Sequence, residues 1–119
     1  MLPVIKLHLN AWRQHCASGP LKKAAMVSVA AIAQTLLTVL RPGDVLLMTD
    51  NAYEPSRVMG RGLLAEFGIE TRWFDATDMA GFVAAICPRT KAVLMESPGS
   101  LTMEVQDIPA TSDLIGVRK

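Results

Sequence analysis

A chain of 119 residues is long enough for one modest domain with a real core. Half of its residues are apolar and 19% are charged, which excludes a disordered chain. A net charge of +1 with scattered Lys and Arg gives no pull toward nucleic acid, and Cys16 and Cys87, far apart in sequence, read as free thiols of a reduced cytoplasmic protein.

Residues 1 to 23 show no clean period, although "LPVIKLHLN" alternates somewhat and "ASGP" at 17–20 is loop chemistry. From Ala24 to Leu40 there is no charge, and Lys22 and Lys23 precede the run. That arrangement resembles a signal peptide or a membrane anchor, but a signal peptide starts nearer the terminus. The run is short for a span, which needs about 20 residues, and Ser28, Gln34, Thr35 and Thr38 interrupt it. A buried helix over about 25–40, with Leu36, Leu37 and Leu40 on helical spacing, is the expectation, and no membrane span. Pro42 and Gly43 in "RPGD" end that helix with a turn.

"VLLMT" at 45–49 is a continuous apolar run, as expected of a strand covered on both faces. Residues 55–67 read as a helix that ends at Gly68, a natural C-cap. "IETRWFD" alternates as a strand, "DMAGFVAAIC" at 78–87 reads as a short helix with Asp78 in its first turn, and "KAVLMES" at 91–97 is a further apolar strand. "SPGSLTMEVQDIP" is loop-like, and a last helix starts near Ala110. Alternating helices and strands predict an α/β fold: a parallel sheet with strands near 45–49, 69–74 and 91–96 and helices on both sides.

In open parallel sheets, ligands sit beyond the carboxyl ends of the strands. Tyr53, the only tyrosine, and Glu96 each follow a predicted strand and belong on that edge. A ring there can stack on a planar ligand, or it can simply pack against a loop. The residues alone leave both readings open.

"RPGDVLLMTDNAYEPSR", "GIETRWFD" and "ESPGSLTMEVQDIP", in that order, resemble the pyridoxal-phosphate-dependent Cys/Met metabolism (trans-sulfuration) family, and within it the cystathionine β-lyases. The similarity runs from about residue 26 to about 115. It implies part of the three-layer large domain of the aspartate-aminotransferase-like, fold-type-I enzymes, over residues 26–119, preceded by an atypical segment, 1–25. It implies pyridoxal 5′-phosphate as cofactor, a small amino-acid substrate, a homotetrameric intact enzyme and a cytoplasmic location. The activity implied is β-elimination of L-cystathionine to homocysteine, pyruvate and ammonia.

By the same resemblance, the Tyr53 ring lies over the cofactor's pyridine ring, and its hydroxyl handles a proton near the substrate amine. Backbone N–H groups at the start of the helix before "PGD" would hold the phosphate. The family's Ser-Gly pair falls on Val27 and Ser28, so Ser28 and Val29 are the cofactor-binding candidates, with serine where the family has glycine. The Schiff-base lysine of the family stands in a Ser-x-Thr-Lys context. Neither Lys91 nor Lys119 has it, and the aspartate for the pyridine nitrogen and the partner-subunit Tyr-x-Arg have no counterpart here. The expectation is a truncated reading frame or gene fragment, inactive alone. The alternative is a non-catalytic α/β remnant or binding module.

Other polar residues carry less. His8, His15 and Cys16 lack metal-ligand spacing. Cys87 reads as a small core residue, Asp75 and Asp78 as capping groups, and Met48, Met59 and Met95 as core filler. Glu96 either positions the cofactor surroundings or is a hydrogen-bonded structural carboxylate. If covering elements are missing, the "VLLMT" and "KAVLMES" strands should show open edges or apolar faces and promote association.

Overall fold

A computed structural model describes residues 4–7, 23–25 and 29–114. The elements run β1 (Val4–Leu7), β2 (Lys23–Ala25), α1 (Val29–Val39), β3 (Val45–Thr49), α2 (Glu54–Arg61), α3 (Leu63–Glu66), β4 (Glu70–Phe74), α4 (Met79–Ala85), β5 (Thr90–Glu96) and α5 (Ile108–Leu114). They form a five-stranded sheet in the order β2-β1-β5-β3-β4. Every pairing is parallel, including β3 with β4 and β3 with β5. The α/β expectation and the three expected strands, β3, β4 and β5, therefore stand, within a residue or two at their ends.

The two leading strands have no counterpart in the sequence reading. β1 is four residues long and pairs with β5, Val4 opposite Val93. It lies inside "LPVIKLHLN", whose partial alternation is too short to specify a strand by itself, and its partner lies far along the chain.

Period two in β3 builds two cores. Leu46 and Met48 pack with Ile32, Leu36 and Leu40 of the α1 segment and with Met59, Leu64, Ala92 and Leu94. Val45 and Leu47 face the other way, toward Phe74, Phe82, Val93, Met95 and Ile108. Helices α1 to α3 thus cover one face, and α4 and α5 the other. All five residues of β3 are buried, and β5 is buried except at Lys91. This corrects the expectation of exposed apolar faces on these two strands: both are interior. The most exposed large apolar side chains among the described residues lie instead on the loop after β5, where Leu101, Met103 and Val105 are 97%, 68% and 75% exposed. Met48, Met59 and Met95 are core residues as expected. Among the described residues no helix is long and apolar enough to cross a membrane.

Turn chemistry explains the boundaries. Gly43 takes φ +94° in the "RPGD" turn, where the Asp44 carboxylate accepts the Arg41 N–H at 2.8 Å. Gly68, at φ +76°, ends the helical stretch, and the Ile69 N–H reaches back to the Leu64 carbonyl. The single helix expected over 55–67 is broken at Gly62 into α2 and α3. Gly62 adopts φ −106° and ψ −88°, which a residue with no Cβ tolerates most easily. Asp78 is the N-cap of α4 and accepts the Gly81 N–H at 2.9 Å, while Asp75 accepts the Thr77 N–H at 2.7 Å. On α5, Asp107 accepts the Ala110 N–H, so the helix starts two residues before the expected Ala110. Edge strand β4 carries Glu70 between Arg72 and Arg89, each at 2.6 Å, a charged edge that discourages further strand pairing.

Phe82 is buried against Phe74, ring centroids 4.8 Å apart. Phe82→Ala should cost about 3–5 kcal/mol, whereas exposed Val83→Ala should stay within about 0.5 kcal/mol. Urea midpoints measure both, and equal midpoints would contradict this core. Serine at Leu101, Met103 and Val105 together should raise the concentration at which the chain stays monomeric. Light scattering against concentration reads this, and an unchanged onset would place the sticky surface elsewhere.

Candidate functional site

Strand order places the site. From β3 the chain moves outward to β4, then returns across β3 to β5 on its other side. After β3 it runs into α2, over the face holding Met59. After β5 it runs to α5, over the face holding Ile108. Connections leaving adjacent parallel strands toward opposite faces open a crevice at their carboxyl ends. Tyr53 follows β3, and Glu96 is the last residue of β5.

These two residues meet. The Tyr53 N–H donates to Glu96 Oε2 at 2.8 Å. Tyr53 occupies the N-cap position of α2, with its backbone extended at φ −52°, ψ 131°. A tyrosine side chain cannot cap, and none does here. The Tyr53 carbonyl instead accepts the Ser56 and Arg57 N–H groups, and Pro55 suits the first turn. The ring is half exposed. Glu96 is buried. Burial pushes its carboxyl above the usual glutamate range, and the Tyr53 N–H only partly offsets that.

A loop closes over the same edge. Gln106 anchors it twice: its Nε2 donates to the Glu96 carbonyl at 2.6 Å, and its N–H donates to Ser97 Oγ at 3.0 Å. The Ser100 N–H donates to the Asn51 carbonyl at 2.9 Å, and Asn51 Nδ2 donates to Glu104 Oε2 at 3.0 Å. The Ser97–Pro98 peptide is cis. Leu101 and Met103 hold φ of 65° and 57°, a left-handed backbone that non-glycine residues rarely adopt and that concentrates at functional sites. Buried polar atoms without a partner cluster here as well: Thr49 Oγ1, Asn51 Oδ1, Ser56 Oγ and Arg57 Nε all lie between residues 49 and 57. A cleft of about 190 Å³ lies beside this edge, lined by Asp50, Asn51, Asp75, Thr102 and Glu104.

Of the expected cofactor-binding residues, Ser28 lies outside the described residues. Val29 opens α1, which runs back between parallel β2 and β3, so its N-terminus shares the carboxyl edge of the sheet with Tyr53. Its first turn carries no acidic residue. Lys91 stands at the opposite end of β5 from Glu96, roughly 16 Å along the strand. Lys119, His8, His15 and Cys16 lie outside the described residues. Among the described residues no cluster of His, Cys, Asp and Glu could hold a metal. Cys87 is half-buried against the second core, and the Thr90 hydroxyl donates to its sulfur at 3.5 Å. Asn51, Glu104 and Gln106 were not legible as site residues: single polar side chains in a loop carry no period, and their partners are remote.

The sequence pattern of the Cys/Met metabolism PLP-dependent enzymes matches residues 17–118. The chain belongs to that family. Its cofactor is pyridoxal phosphate. The chain is 47% identical over 81 residues to cystathionine beta-lyase MetC of Escherichia coli, an alignment covering 68% of this chain and 20% of that one. A Saccharomyces cerevisiae protein, provisionally named a cystathionine beta-lyase, is 40% identical over 117 residues, 98% of this chain and 33% of the relative. Among solved structures, cystathionine gamma-lyase from Lactobacillus plantarum, complexed with L-serine, superposes with a TM-score of 0.72 at 28% identity, covering 76% of this chain and 23% of that one. The chain thus spans about a fifth to a third of the length of the curated relatives it matches.

Glu96 gives a signed pH dependence. A carboxyl whose folded pKa is raised binds more protons folded than unfolded between the two pKa values. Its contribution is therefore full below the ordinary value, about 4.3, and is lost as pH rises through the folded value. The stability of the wild-type chain should fall, relative to Glu96→Gln, across that interval. Denaturant midpoints of both proteins at several pH values measure the difference. A constant difference would mean that the Glu96 carboxyl is not perturbed.

Proposed function

We propose that this chain carries the tyrosine-bearing part of the pyridoxal-phosphate site of a carbon–sulfur lyase of the cystathionine β-lyase type. The reaction is β-elimination: L-cystathionine and one water give homocysteine, pyruvate and ammonia. The observation that carries the reading is the position of Tyr53, half exposed at the carboxyl edge where the strand order reverses, in a chain belonging to this family.

The residues present fit the cofactor at two places. The half-exposed Tyr53 ring suits a flat pyridine ring. The start of α1, at Val29, offers backbone amides in a first turn with no acidic residue, which suits a phosphate. Pyridoxal phosphate, when bound, supplies the electron sink for breaking the carbon–sulfur bond. The chain's own part is narrower. Tyr53 covers one face of the ring and holds or moves a proton at its phenol oxygen. The α1 amides orient the anionic end.

These contributions are small for the chain alone. Stacking adds about 0.5–1.5 kcal/mol beyond burial, and an exposed helix start adds about 0.3–1 kcal/mol. Millimolar affinity needs about 4 kcal/mol. No lysine stands in a Ser-x-Thr-Lys context, and Lys91 sits at the wrong end of β5. That favours the second reading for the isolated polypeptide, a module that does not turn over.

Pyridoxine 5′-phosphate has no aldehyde and forms no covalent adduct, so it isolates the stacking step. Its dissociation constant should be millimolar or weaker, and Tyr53→Ala should weaken it about 2–10-fold. Equal binding by both proteins would remove Tyr53 from the site. With pyridoxal phosphate, borohydride trapping and peptide mapping should label several exposed lysines, with no pyruvate formed from cystathionine. Stoichiometric labelling of one lysine together with pyruvate release would show that the chain is a lyase by itself.

A further inference from the structure

Tyr53 is the first residue after a tight turn, and little else fixes its backbone. The Ala52 N–H reaches the Thr49 carbonyl at 3.2 Å, and the Tyr53 carbonyl is engaged by the following helix. Its own N–H points away from α2 and across to β5. The group receiving it, Glu96 Oε2, is a buried carboxylate on an interior strand, 43 residues further along the chain. A charged acceptor makes a shorter and stronger bond than a neutral one. β5 is held on both sides by β1 and β3, so the carboxylate is delivered from a rigid element. Its own main-chain carbonyl is tied by Gln106. The phenol side chain, in contrast, makes no hydrogen bond among the described residues and is half exposed. The direction of the Cα–Cβ bond that carries the ring is then set by its backbone, and among the described residues the one hydrogen bond of that backbone to a group outside its own turn and helix is the one to Glu96.

We infer that Glu96 is the positioning residue for Tyr53: its carboxylate, reaching from the end of β5 to the Tyr53 N–H, fixes where α2 begins and so aims the phenol ring over the ligand crevice. This rests on the proposed role of Tyr53 at the cofactor, yet the anchor itself can be read without any cofactor. A merely structural carboxylate would loosen the whole fold when removed. A positioning carboxylate loosens one amide and is replaced by any acceptor of the same shape.

The test is residue-resolved amide hydrogen exchange on the full chain, comparing wild type, Glu96→Ala and Glu96→Gln. In Glu96→Ala the Tyr53 amide should exchange about tenfold faster or more, while Leu47 and Met48 in β3 keep their wild-type rates. Glu96→Gln retains a side-chain oxygen for the Tyr53 N–H and should restore most of the protection. Unchanged exchange at Tyr53 in Glu96→Ala would overturn the assignment. So would a uniform acceleration over β3 and Tyr53 that Gln does not rescue. Pyridoxine 5′-phosphate titration forms a second arm, in which Glu96→Ala should weaken binding as Tyr53→Ala does and add nothing in the Tyr53→Ala background. If exchange responds as expected while neither substitution changes binding, the anchor stands and the cofactor role of Tyr53 falls.

Discussion

Every residue of β3 from Val45 to Thr49 is buried, and its side chains alternate between two cores. A strand in that position needs apolar contacts on both faces and paired neighbours on both edges, because water reaches neither. The rest of the molecule follows from meeting these demands. β4 and β5 satisfy its two edges, α1 to α3 one face, and α4 with α5 the other. Since β4 and β5 lie on opposite sides of β3, the chain must reverse direction across the sheet. That reversal opens the crevice at the carboxyl edge.

The chemistry of that edge is governed by a tension around Glu96. Placing a carboxylate in a buried position is unfavourable, as the upward shift of its pKa records. One N–H offsets part of the cost, and the offset is made with Tyr53 rather than with a group in the core. The loop from 97 to 106 is bound into the same arrangement through Gln106 and Asn51. Backbone in the left-handed region at Leu101 and Met103 adds a further local cost of order 1–3 kcal/mol each. Away from this edge the departures are few: α4 is capped by Asp78, Gly43 and Gly68 stand where positive φ is required, and the β3–β5 ladder shifts register once, between Val45 and Leu46.

What the sequence displayed and what it hid divide along physical lines. "VLLMT" and "KAVLMES" were legible because a strand buried on both faces is a continuous apolar run between turn residues. Asp75, Asp78 and Gly68 were legible because capping and left-handed turns are set by the residue itself. The break of the long helix at Gly62 was not, since a glycine inside a helical pattern is tolerated as often as it bends the chain. β1 was not, because a four-residue strand is stabilised by β5 and not by its own pattern. The candidate site divides the same way. The placement of Tyr53 and Glu96 at strand ends followed from the pattern, and the bond between them did not, because it joins residues 43 apart.

The distribution of unsatisfied groups separates two parts of the fold. Each core is closed by elements within the chain: Leu46, Met48, Val45 and Leu47 are fully buried without outside help. At the carboxyl edge the balance is different. Thr49, Asn51 and Ser56 each keep a buried polar atom without a partner, and Leu101, Met103 and Val105 turn apolar side chains to water. Both features are unfavourable, the first by about 1–3 kcal/mol for each orphaned atom, the second by roughly 25 cal/mol for each Å² of apolar surface left wet. Neither helps the described residues fold, and both occur where the strand order reverses. A sheet edge stabilised for its own sake would pair those atoms and cover those side chains. The opposite edge has its polar groups paired in the "RPGD" turn and the Arg89–Glu70 ion pair, so the two edges of the sheet differ in how far their polar groups are satisfied.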